Sequence, residues 1–458
     1  MIKNGFFYLI GINVAQQMLK KIKSALPMKI RFKQTWGLLI LLFVSIAYLV
    51  TFMLLNSPKK PEVTEIYFAD MITAAHSILI NKFNKINEGK VKVIPIDFPN
   101  FDFSTNERKE MLARLLRGKG DGIDVFAVDV VWVQRFAKWS EPLTNYFSKA
   151  ELDKILSVAL ESCYFEGDLY ALPLNRVQGI LYYRDDLLKK FDNYNQIIKK
   201  IEKNITWEDF IKLKNELNTQ LPFYTFTATD YEGLICVFFE VLLSLNKNYF
   251  EQYGFNFNTI EAEKSLQLLV DLVNKYNISP KSVTEFTEVP SYQYFIQNDG
   301  LFIRGWPTFD KDFREKPFDA KKQSHLKKAS LPYFKSGHQS SIMGGWNMMI
   351  SKFSNKKEAA INFIKFLLKE DSQEIFYKEG GHYPVVKSFY QKSEYLAKYP
   401  EIERIKYWDA NVTQRPANAD YTRFSKIIAY YLKNALQQKL SVKEALASCS
   451  QDILTEKF

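Results

Sequence analysis

A chain of 458 residues with 47% hydrophobic and 15% aromatic side chains has the composition of a folded protein with large cores, which excludes a disordered chain and leaves room for two or three domains. Its net charge of +11 does not describe a nucleic-acid-binding face. Nine basic residues and no acidic one fall within residues 1–61, so the remaining 397 carry only +2.

The first element is Trp36–Leu55, an uncharged apolar run of 20 residues, the length that crosses a bilayer as a helix. Seven basic residues precede it and two follow, which keeps the basic segment 1–35 in the cytoplasm and exports the rest. Leu54-Leu55-Asn56-Ser57 has no small-residue cleavage motif, and no Cys follows for lipid attachment, so the run reads as an uncleaved anchor. The apolar stretch Gly5–Ala15 is too short to span. It lies at the interface, or translation begins at Met28. Residues 56–63, with Pro58 and Pro61, form a short linker.

From residue 64 strand and helix patterns alternate, as in α/β units built on a parallel sheet. Strands are expected at Glu65–Ala69 and Lys90–Ile96, and helices at Ala74–Asn84 and Glu107–Leu116. The stretch Gly118–Leu143 is the one the fold is organised around. Ile123–Val128 is a continuous apolar run, the signature of a strand buried on both faces. Asp129 follows it, and Val130, Val133, Phe136 and Ala137 repeat with helical spacing. Asp129 therefore either only caps a helix or also presents a carboxylate, with Trp132 nearby, at the strand ends where open α/β sheets bind ligands.

Further strands are expected up to Ala171, with a break at Pro173, and at Leu181–Arg184, Leu301–Arg304, Ala329–Pro332 and Gly344–Ser351. Helical patterns cover Trp207–Leu217, Tyr231–Leu245, Glu261–Tyr276, Lys356–Lys369 and Ser425–Gln437. The chain thus crosses between two lobes more than once, with hinges expected near Gly179–Tyr183 and Arg304–Pro307.

Cys163, Cys236 and Cys449 are odd in number and far apart, so they read as small buried side chains. His76, His325, His338 and His382 show no metal-ligand spacing. No nucleophile elbow, phosphate loop or dinucleotide fingerprint is present, and neither a metal nor another cofactor is expected. What recurs instead is Trp beside Gly and Arg at strand ends: Arg304-Gly305-Trp306-Pro307, Gly344-Gly345-Trp346 and the loop Arg415-Pro416. Indole faces suit a sugar ring, charged side chains bind its hydroxyls, and glycine admits close backbone approach. Ordinary core packing is the competing account of each Trp.

The segments LLRGKGDGIDVFAVDVVWVQRF, GDLYALPLNRVQGILYYRDDLL, DYEGLICVFFEVLLS, FIRGWPTF, GGWNMMISKFSNKKEAAINFIKFL and QRPANADYTRFSKII carry a resemblance. In this order, across roughly residues 64–455, the chain resembles the extracellular solute-binding proteins (family 1) of sugar ABC importers, most of all the trehalose/maltose-binding group. The resemblance implies a two-lobed α/β fold of periplasmic-binding-protein type (type II-like) over residues 64–458. A hinge closes it on a sugar, and the partners are ABC permease subunits in the membrane. It implies no enzyme activity.

Carried over by position, the resemblance implies sugar contacts from Arg108, Asp129 and Arg415, and ring contacts from Trp306 and Trp346. It also implies backbone contacts at Gly344 and Gly345 and an aromatic lining from Tyr182 and Tyr421, with Trp132 beside Asp129. Two positions depart from it. Val177 stands where that group has an Asp, and Asp70–His76 lacks the Glu expected at the first helix. Asn175, Arg176, Gln178, Asp70 and His76 are the candidate substitutes. A membrane-tethered sugar-sensing receptor and an exported glycosidase are the alternatives to a transport protein.

Overall fold

The computed structural model describes residues 20–21, 32–55, 63–99, 104–119, 122–312 and 318–455. Gly5–Ala15, Met28 and the linker at 56–62 lie outside them. Residues up to Glu62 and from Val63 onward are separate units. In the first, Phe32–Leu55 is one helix of 24 residues, about 36 Å long at 1.5 Å per residue. Every side chain from Trp36 to Met53 is exposed, and it is the one helix among the described residues long and apolar enough to cross a membrane.

The second unit contains the strands β1 (Thr64–Asp70), β2 (Val91–Asp97), β3 (Val125–Asp129), β4 (Tyr164–Phe165), β5 (Asp168–Leu169), β6 (Leu172–Gln178), β7 (Ile180–Arg184), β8 (Tyr224–Thr225), β9 (Phe302–Gly305), β10 (Leu326–Ala329), β11 (Ser341–Ile350) and β12 (Val412–Thr413). The first sheet runs β12-β11-β3-β1-β2, with β6 also paired to β11. β1, β2 and β3 are parallel, as the alternating pattern requires, but β11 is antiparallel to β3 and β6, so the sheet is mixed. The second sheet runs β10-β7-β9-β8, and β4 and β5 form a small hairpin.

Each lobe has its own core. Phe68, Phe126, Leu174, Met349 and Phe363 belong to the first, and Phe210, Phe238, Leu269, Phe302 and Ile428 to the second. A third, aromatic cluster joins Tyr182, Tyr292 and Phe309 to Tyr383 and Phe389.

The helix Glu232–Leu245 is the centre of the second lobe, with every residue from Glu232 to Ser244 buried. Such a helix is apolar all round, so its two carboxylates, Glu232 and Glu240, must find partners. Both meet a buried arginine, Arg415 and Arg304 respectively.

Several boundaries differ from expectation. β6 runs through Pro173 rather than stopping there. Pro173 faces Asn347 where the register of β6 against β11 shifts, and an irregular ladder is where a strand tolerates a residue with no N–H. β10 and β11 each begin three residues earlier than the pattern suggests. A last helix, Val442–Thr455, packs beyond Tyr421–Leu436. The hinge also moves. The chain does pass from the first sheet to the second at Gly179, between β6 and β7. Arg304–Pro307 is no crossing, because β9 and β10 lie in the same sheet; the return falls between β10 and β11, at residues 330–340.

Candidate functional site

The end of β3 and the middle of β11 build the cleft floor. β3 delivers Asp129, and the antiparallel register of β11 sets Trp346 directly opposite it. Asp129 does cap the short helical turn that follows: its Oδ1 accepts from the Val131 N–H at 3.1 Å. The same oxygen also accepts from Arg415 Nη2 at 2.7 Å. Capping and facing the cleft are one role here.

Gly345 has a φ of +145°, and a Cβ there would lie 2.5 Å from the Asn175 carbonyl oxygen and 2.9 Å from Arg176 Cα. Only glycine lets β6 pass so close to β11. Gly344 is merely tight, 3.1 Å from Val177 and 3.3 Å from the Trp306 ring.

Arg415 is the hub. Its side chain is 1% exposed, and it donates to Asp129 of the first lobe and, at 2.8 Å, to Glu232 of the second. The Tyr421 hydroxyl also donates to Glu232 Oε1. Glu232 Oε2 is buried and has no partner among the described residues, and neither does Arg415 Nε. Burial raises Asp129 above the usual carboxylate range, and the Arg415 charge pulls it back. Glu232 and Glu288 each open a helix, where the dipole favours a negative charge.

The walls carry two matched stacks. Arg108 lies over the Trp346 ring at 4.3 Å, and Arg304 lies over the Trp306 ring at 4.0 Å. Both indoles are only partly buried, although both arginines are buried. The Trp306 indole N–H donates to Glu288 at 3.4 Å, and its backbone N–H donates to the Tyr292 hydroxyl at 3.0 Å. Arg108 Nε and Nη1 have no partner among the described residues, and burial lowers its affinity for the proton. His382 also lines the cleft and is pushed down to about 3 by burial and by nearby His76, so it is neutral near pH 7.

Arg108, Asp129, Trp306, Gly344, Gly345, Trp346 and Arg415 all line this cleft. The other named residues do not. Trp132 is in the first-lobe core with Lys109 over its ring at 4.9 Å. Tyr182 is fully buried and donates to the Trp306 carbonyl and to Asp310, both at 3.0 Å, so it braces the cleft from behind. Tyr421 acts through Glu232.

Among the candidate substitutes, Asp70 and His76 are buried 3.3 Å from each other, with His76 also closing the cap at Thr73. Arg176 is drawn away by Asp409, which accepts twice from it at 2.6 and 2.5 Å. Gln178 shares its strand face, and Asn175 is covered as the cross-strand neighbour of Trp346. Of β6, Val177 is what reaches the cleft.

The sequence reading missed Glu232, Cys236, Glu288, Thr308 and His382. A signal existed for Glu232: a carboxylate opening a helix whose other residues are almost all apolar has to meet a cation or a ligand once that helix is buried.

Lys109, behind the wall, is 2% exposed and lowered to about 8, first by burial and then by Arg135 and Lys426, against the pull of Glu110 and Glu232. The unfolded lysine holds its proton to the ordinary value of 10.5, so the penalty is complete below pH 8 and fades between 8 and 10.5. Lys109→Met is expected to raise stability by about 1–3 kcal/mol at pH 7, with the advantage shrinking across that window. Urea unfolding at a series of pH values checks this; a gain that does not change with pH would contradict it.

A family model described as "Bacterial extracellular solute-binding protein" matches residues 67–374. A probable ABC transporter-binding protein of Deinococcus radiodurans is 23% identical over 334 residues, covering 70% of this chain and 76% of the relative. The solved structure of maltose-bound MalE3 from T. maritima superposes with a TM-score of 0.76 at 25% identity, over 86% of this chain and all of that one. The GacH receptor of Streptomyces glaucescens, at 19% identity and a TM-score of 0.70, shares the fold over 87% of this chain and all of its own.

Proposed function

Because this chain belongs to the bacterial extracellular solute-binding protein family, we propose that its cleft binds a sugar, with maltose or another di- or oligosaccharide as the first candidate. The chain would deliver that sugar to an ABC importer while Trp36–Leu55 holds it in the membrane, with residues from Ser57 onward outside.

The observation that carries the reading is the pair of partly exposed indoles, Trp306 and Trp346, facing one cleft beside buried polar atoms that lack partners. A pyranose has apolar faces for the rings and hydroxyls for the polar atoms. Glu232 Oε2 would accept from a hydroxyl, and Arg108 and the Arg415 Nε–H would donate to one. Asp129 Oδ2, which makes no hydrogen bond among the described residues, would accept another. Arg415 joins Asp129 of one lobe to Glu232 of the other, so the groups that would meet a sugar are held in place by one another. Pre-ordered groups of this kind lower the entropic penalty of binding. The cleft reads as a binding site rather than a hydrolytic one, since Asp129 and Glu232 are both engaged by the same guanidinium.

Thermal unfolding of the full chain with increasing maltose tests the reading. The midpoint should climb with the logarithm of concentration, corresponding to about 2.7 kcal/mol at a hundredfold excess over Kd. Small-angle scattering should show a smaller radius of gyration in the bound state as the lobes close. No shift with maltose or other disaccharides would defeat it. The anchor is separately checked by the intact mass of the native membrane-extracted protein. Retention of Trp36–Leu55 is expected, and a mature N-terminus after Leu55 would defeat that part alone.

A further inference from the structure

We infer that Arg304 and Glu240 are positioning residues that tie the Trp306 wall of the cleft to the β6–β7 junction and the start of β11, two of the places where the chain passes between its lobes. This rests on the sugar-binding reading and goes beyond it by naming the group that links ligand to hinge.

Glu240 accepts from Arg304 Nε at 3.1 Å and Nη2 at 2.7 Å, with the two side chains 5% and 1% exposed. Removing either partner would strand the other charge in the interior. On one side of the pair, the guanidinium is the surface on which the Trp306 ring rests.

On the other side is the crossing itself. A Cβ at Gly179 would lie 1.9 Å from Glu240 Oε1 and 2.9 Å from Arg304 Nη2, so the backbone between β6 and β7 sits directly on the ion pair. The second crossing arrives at the same place. Gly179 N–H donates to the Ile342 carbonyl at 3.2 Å, and Ser341 Oγ–H donates to the Gly179 carbonyl at 2.7 Å. Ile342 N is 3.5 Å from Glu240 Oε1. A displacement of the indole and a rotation of the crossing strands thus act on the same two side chains. The helix that carries Glu240 also carries Glu232 to the cleft at its first residue.

The test uses the full chain. In ligand-free protein, Glu240→Gln should speed hydrogen exchange at the Gly179 and Ile342 amides about tenfold, leaving the β3 amides unchanged. It should also weaken maltose binding about tenfold and reduce the change in radius of gyration at saturation. Gly179→Ala, which displaces the carboxylate without touching its charge, should reproduce both effects.

The doubly neutral Glu240→Leu/Arg304→Met should recover the melting temperature but not the affinity. Recovery of affinity and slow exchange in that double variant would make the pair a structural filler and overturn the inference, as would unchanged exchange in Glu240→Gln. If the wild-type chain ignores maltose, the sugar reading is what fails, and the exchange measurement still decides the hinge.

Discussion

Arg415→Ala should abolish detectable sugar binding and lower stability by about 3–5 kcal/mol, the usual result of stripping one partner from a buried charged cluster. The guanidinium is 1% exposed and is the cation that both Asp129 and Glu232 bond. Without it two buried carboxylates face each other across the cleft, one already raised by burial. Asp129 would then be protonated more readily in the folded state than in the unfolded one. A raised folded-state carboxylate stabilises where it is protonated and loses that contribution as pH climbs past the unfolded value of about 3.9. The variant's deficit should therefore be largest near neutral pH and shrink towards pH 4. Arg415→Lys should rescue little, since its single terminal nitrogen lacks the two separate nitrogens that reach Glu232 and Asp129. Urea unfolding beside calorimetric titration reads both effects, and normal affinity in Arg415→Ala would remove the hub from the site.

Trp346→Ala is expected to weaken binding at least thirtyfold, about 2 kcal/mol, as for a central aromatic in an interface. The indole is partly exposed and supports Arg108 at 4.3 Å, so its loss removes a stacking surface and frees a guanidinium at once. Stability should fall by clearly less than the roughly 3–5 kcal/mol of a buried Trp. Trp346→Phe should restore most of the affinity. The opposite pattern, full affinity with a loss of 3 kcal/mol or more, would assign Trp346 to the core.

That Asp129 and Trp346 line the cleft was legible from local pattern, a buried strand ending in Asp and a Trp after two glycines, although Trp346 sits in the middle of β11 rather than at the strand end expected for it. Trp132 and Tyr182 have the same chemistry but opposite fates. On β7 Tyr182 turns to the aromatic cluster while its neighbours Leu181 and Tyr183 turn to the second core, and nothing in the residue types says which face meets ligand. Arg176 has a partner 233 positions away, and no local pattern reveals Asp409. Glu232 stood in plain view on a helix whose other residues are almost all apolar. Its meaning needed the fact that the whole helix is buried. Pro173 looked like a strand break because the register shift that accommodates it belongs to β11, a strand far along the chain.

The place of β11 has a consequence for how the molecule comes into being. The first sheet cannot close when residues 64–178 have been made, because the strand that joins β3 to β6 starts at Ser341. At synthesis rates of about 5–20 residues per second, β3 waits roughly 10–40 s for its neighbour. During that interval the nascent chain holds apolar segments without their partners and is vulnerable to proteases and to self-association. A molecule ordered this way acquires its first lobe only after most of the second has been translated, and a truncation before residue 350 should leave neither.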